Sequence, residues 1–134
     1  MKFANAWVAG AAAMLAIGAT AAGELKDQMK VEVQTSETHA DMQPGTYVCA
    51  AGHLHVKATV QNLADVAVGP VKVTGKALDA DGKVIGTATA TTRKPALAPH
   101  ETAPVDIEFL GVTGPLIKAV KSEQLTVVSV APGP

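Results

Sequence analysis

The chain has 134 residues, is 48% hydrophobic, only 3% aromatic and 17% charged, and carries eleven Lys and Arg against twelve Asp and Glu, a net charge of −1. So balanced a charge excludes the basic face that nucleic acids require and the polybasic patch that anionic lipids attract. So few aromatics exclude base-stacking platforms and an aromatic-lined cofactor cleft.

In chain order, Met1 to about Ala22 reads as a secretory signal peptide. Lys2 supplies the early positive charge, an Ala-rich apolar run follows from about Ala6 to Ala19, and small residues close it at Ala21 and Ala22. The run is shorter than the ~20 residues that span a bilayer. The protein is therefore expected to be periplasmic or secreted, with no membrane span after cleavage. Residues 23–134, about 112 in number, suffice for a single domain.

Lys30 to Gln34 alternates with period two and reads as a strand, and Gln43-Pro44-Gly45 is a turn. Thr46 to Ala50 is a short strand before a bend at Gly52. From His53 to Gln61 the alternation is clean. Leu54, Val56, Ala58 and Val60 point one way, and His53, His55, Lys57 and Thr59 the other. Val66 to Val73, interrupted by Gly69-Pro70, reads as a protected sheet edge. Val71 to Leu78 and Lys83 to Thr92 pair through a hairpin at Asp79-Ala80-Asp81-Gly82. That turn faintly echoes a calcium loop but lacks the downstream Glu. Pro95 and Pro99 exclude an interior strand over Arg93 to Glu101. Thr102 to Leu110 alternates again, with Val105, Ile107 and Phe109 on one face, and Gly111 to Pro115 is expected to break it. Leu116 to Ser122 reads as a short helix or link. Gln124 to Val130 reads as a last strand, with Ala131 to Pro134 as a frayed tail. About seven strands with turns every 8–12 residues predict an all-β, immunoglobulin-like antiparallel β-sandwich.

Four stretches carry a resemblance: Val60-Gln61-Asn62, Leu78-Asp79-Ala80-Asp81-Gly82-Lys83-Val84, Leu97-Ala98-Pro99-His100-Glu101, and Val105-Asp106-Ile107-Glu108-Phe109. Together they resemble the FxLYD-type and related immunoglobulin-like domains of bacterial exported proteins, over about half of the mature chain. His100 stands where those domains usually have Gly, and the Phe-x-Leu-Tyr-Asp signature does not occur. The resemblance implies a non-catalytic module and supplies no functional residues.

Chemistry concentrates around Cys49, His53 and His55, with His39 and Met42 upstream. His53 and His55 leave one face of a strand about 6–7 Å apart, close enough to share a cation. Imidazole and thiolate suit zinc or copper, and a thioether adds preference for Cu(I). Cys49 would lie about 13 Å from His53 on an extended chain, so Ala50-Ala51-Gly52 must bend to unite them. Without a metal the same residues are a solvated polar face. The lone thiol has three fates open to it: burial, a disulfide-linked homodimer, or ligation. A Cys49–His53 nucleophilic pair lacks an orienting third group, so no catalytic residue is expected.

Three functions follow. The first is a non-enzymatic periplasmic module that binds another envelope protein or assists assembly. The alternative is a copper- or zinc-binding protein using His53, His55, Cys49, His39 and Met42. The second alternative is a small accessory subunit of an exported enzyme.

Overall fold

The strand that organises the molecule is β3 (His53–Asn62), in which every second residue is buried. A computed structural model describes residues 25–36 and 38–134; the signal-peptide reading of residues 1–22 lies outside them. One edge of β3 pairs along its length with β6 (Thr102–Thr113), from Gln61↔Thr102 to Leu54↔Phe109. The other edge is shared end to end by β1 (Met29–Val33) and β2 (Thr46–Val48). The second sheet has the order β5-β4-β7, with β4 (Val68–Leu78) between β5 (Val84–Thr91) and β7 (Ser122–Pro132). All pairings are antiparallel, and the seven strands form the expected all-β sandwich. A five-residue helix, α1 (Pro115–Ala119), links β6 to β7. Among the described residues, no helix is long and apolar enough to cross a membrane.

The core follows the alternation. Leu54, Val56, Ala58 and Val60 from β3 and Val105, Ile107 and Phe109 from β6 are buried with Val71, Val73 and Ala77 of β4. Phe109 fits because β4 has no side chain beneath it: a Cβ on Gly75 would lie 3.0 Å from the Phe109 ring tip and 3.2 Å from Leu125. Burying so large an aliphatic and aromatic surface fixes strand register, since a one-residue slip would turn every core residue outward.

Four local expectations are corrected. Val66 to Val73 is no edge: β4 is the central strand of its sheet, and the Gly69-Pro70 step is absorbed by a register shift against β7 between Val68 and Val71. Pro is tolerated inside a sheet at such a bulge. The tail is not frayed, because β7 runs on to Pro132, which pairs with Val68. β6 crosses Gly111 and ends at Thr113, since Val112 is fully buried. β2 ends at Val48, and Cys49 belongs to the turn.

Candidate functional site: a thiol, imidazole and carboxylate cluster

The β2–β3 turn is a tight hairpin. The Cys49 N–H donates to the His53 carbonyl at 3.1 Å, and the Gly52 N–H donates to the Cys49 carbonyl at 2.9 Å. Gly52 has φ +88°, the left-handed residue that closes a three-residue hairpin loop. The bend that the sequence requires is thus made, and it brings Cys49 back beside β3. Register does the rest. Tyr47 lies opposite His55 across β2–β3, and Glu108 lies opposite His55 across β3–β6. Leu54 and Val56 occupy the core face, so Tyr47, His55 and Glu108 form a row on the outward face.

The His55 ring is held by Asp106 and Tyr47. Its Nδ1 lies 2.7 Å from Asp106 Oδ1. The Tyr47 ring stacks on it with centroids 4.6 Å apart. The Tyr47 hydroxyl donates to Asp106 Oδ2 at 2.5 Å and sits 3.1 Å from Nδ1. With Nδ1 engaged by Asp106, Nε2 is the free position. It is buried and has no hydrogen-bond partner. It faces Glu108 Oε2 at 3.5 Å, which in turn lies 4.0 Å from Cys49 Sγ. Donor atoms of Cys49, His55 and Glu108 all lie within 4.8 Å of one another.

Electrostatics couple the thiol and the ring. A hydrogen bond from the His53 backbone, then the His55 imidazole and the Ala51 backbone, pull the Cys49 thiol from 9.0 down to about 7 against the opposing effect of burial. Burial pushes His55 down, but the hydrogen bond to Asp106 and the attraction of the Cys49 thiolate outweigh it and leave the ring above its ordinary value. The lowered thiol carries more thiolate at neutral pH than an ordinary cysteine, and the thiolate is the form that binds metals.

The five residues singled out in the sequence part company here. Cys49 and His55 join the cluster. His53 touches it from outside, its Nδ1 lying 2.8 Å from Glu108 Oε2. His39 sits on the loop before β2, exposed and outside the cluster. Met42 packs against the hydrophobic core, in a cleft of about 190 Å³ shared with Thr46 and Leu54. Tyr47, Asp106 and Glu108 are the residues that sequence reasoning missed. Their signal was the alternation of β6: with Val105, Ile107 and Phe109 inward, Asp106 and Glu108 must face outward like the histidines.

Fold and site together define a seven-stranded β-sandwich bearing a thiol–imidazole–carboxylate cluster on one outer face. No protein-family model matches the chain, and no curated protein matches it. A solved structure, that of IrmA from Escherichia coli, is similar with a TM-score of 0.50 and 15% sequence identity, covering 80% of this chain and 86% of that one. At that identity the likeness speaks for the fold alone.

Proposed function

We propose that this is an exported, non-enzymatic β-sandwich protein that binds a divalent transition metal, zinc or copper, through Cys49, His55 and Glu108. One observation carries the reading: the buried Nε2 of His55, which makes no hydrogen bond, faces a thiol and a carboxylate at near-ligand spacing. A tetrahedral ion with bonds of about 2.0–2.3 Å separates its ligands by roughly 3.3–3.8 Å. The observed 3.5 and 4.0 Å separations lie near that range, and all three donors fall within 4.8 Å of one another. The Asp106 carboxylate on Nδ1 is the partner that metal-ligating histidines commonly have, fixing the tautomer and raising ligand basicity. Met42 lies elsewhere and a carboxylate is present, so the donor set favours Zn(II) or Cu(II) over Cu(I).

The test is metal titration of the purified chain against a chromophoric chelator. One equivalent of Zn(II) is expected to bind more tightly than micromolar. Cys49→Ser and His55→Ala should each cost about 100-fold or more, while His39→Ala and Met42→Leu change affinity little. Binding weaker than micromolar, or binding indifferent to His55→Ala, refutes the reading.

Protein interaction is the second reading, as an envelope assembly module or the accessory subunit of an exported enzyme. It is favoured by β5, whose outer edge pairs with no strand among the described residues and whose eight residues include no charge and no Pro. Such an unblunted edge accepts a partner's strand. In-cell crosslinking should recover an envelope protein that Thr87→Lys and Thr91→Lys release. Kinship with FxLYD-type domains belongs with this reading, supported by the turns at Asn62, Asp79 and Pro99.

A further inference from the structure

We infer that the ion held by Cys49, His55 and Glu108 keeps an outward coordination position for an exogenous thiolate or imidazole, and that the protein therefore exchanges its ion by ligand substitution; this rests on the metal-binding reading.

Among the described residues three protein donors converge, one short of a closed structural zinc set. The candidate fourth donor is His53, whose ring nitrogens are not among the converging donor atoms. Its Nδ1 holds Glu108 Oε2 at 2.8 Å, the place of an outer group that orients a ligand. The cluster lies on the outer face of its sheet. Its members grade from the nearly buried His55 side chain, 12% exposed, to Glu108 at 42%. An ion there would have protein beneath it and solvent above it. The fold does not depend on such an ion. The hairpin is closed by backbone hydrogen bonds, and strand register is set by the core on the opposite face. A site that neither closes around its ion nor supports the fold is built for exchange. A partner's thiolate or imidazole can enter the open position before any protein ligand leaves.

Cobalt(II) is the probe, because its visible bands report coordination number and thiolate ligation. The purified full chain loaded with one equivalent of cobalt is titrated with imidazole and, separately, with N-acetylcysteine. The expected result is a saturable shift of the visible bands through an isosbestic point, with the Cys49-to-cobalt charge-transfer band retained. His53→Ala should weaken cobalt binding about 10-fold without altering the starting spectrum. Bands that respond to neither donor would overturn the open position, as would a ligand response that appears only in His53→Ala. Loss of the cobalt signal without a ternary intermediate would overturn it too. Absence of any charge-transfer band on adding cobalt would instead overturn the metal reading itself.

Discussion

The two ends of β3 handle buried polar atoms in opposite ways. At the Asn62 end everything is satisfied. The fully buried Asn62 side chain donates to the carbonyls of Val66 at 2.9 Å and Leu97 at 3.0 Å, and its Oδ1 accepts from the Ala64 N–H at 2.8 Å. Its backbone bonds Glu101 and His100. At the other end, His55 keeps Nε2 buried without a hydrogen bond, although its Nδ1 is held by Asp106. A saturated polar network fixes loops and is structural. A buried donor or acceptor left open beside a thiol and a carboxylate is costly unless something fills it. The contrast separates what holds this protein together from what it presents to a ligand.

The largest effect should come from the saturated end. Asn62→Ala removes three side-chain hydrogen bonds and strands buried backbone groups, so it should destabilise the fold by about 3 kcal/mol. Urea unfolding measures that loss, and metal affinity in the folded fraction should not change. A loss of metal affinity would show that the two ends are coupled. Next comes Asp106→Asn, which leaves the fold intact but loosens the hold on the His55 tautomer. Zinc affinity should fall about 10–100-fold, with little change in the unfolding midpoint. If stability falls instead, the Tyr47–Asp106–His55 contacts are structural and the contrast fails.

A third effect concerns the turn after Leu97. The Glu101 N–H donates to the Ala98 carbonyl at 3.0 Å, and Pro99 and His100 fill the two central positions. His100 has φ +67°, a left-handed backbone in which a β-carbon is strained. His100→Gly should relieve about 1 kcal/mol of strain, offset in part by the entropy of the freer unfolded chain. Thermal unfolding should show a small rise in midpoint, and a clear fall would mean that the His100 side chain contributes a contact of its own.

Sequence alone read the inward face of this protein well and the outward face poorly, for a physical reason. Leu54, Val56, Ala58 and Val60 declare their burial through alternation, and Asp79 to Gly82 declares a hairpin through turn chemistry. Indeed, Asp79 Oδ1 accepts from the N–H groups of Asp81 and Lys83, each at 2.9 Å. The cluster, by contrast, depends on the register between β3 and β6. His55 and Asp106 are 51 positions apart, and only the packed core decides that they meet. Local pattern placed both on outward faces and could not say that the faces adjoin. The Gly69-Pro70 step misled for a related reason: a bulge against β7 absorbs it, and a bulge is a property of the pair of strands.

The smallest effect tests whether an orphaned atom by itself marks a site. Glu123 on β7 also has a buried carboxylate oxygen without a hydrogen-bond partner. Burial is the sole cause that raises its pKa above 4.5. It lines the same cleft as Asp41, Lys118 and Lys121, and among the described residues no thiol or imidazole lines that cleft. There the orphan is only a cost. Because the folded state favours the neutral acid, the native protein holds more protons than the unfolded chain as pH rises from 4.5, and stability falls across that window. Glu123→Gln should therefore stabilise the protein at neutral pH by about 0.5 kcal/mol, a modest gain because the group is partly solvated. The gain should disappear below about pH 4, where wild-type Glu123 is protonated in both states. A substitution that destabilises at pH 7 would mean that the charged carboxylate is wanted, with Lys118 and Lys121 of the same cleft as its counter-charges.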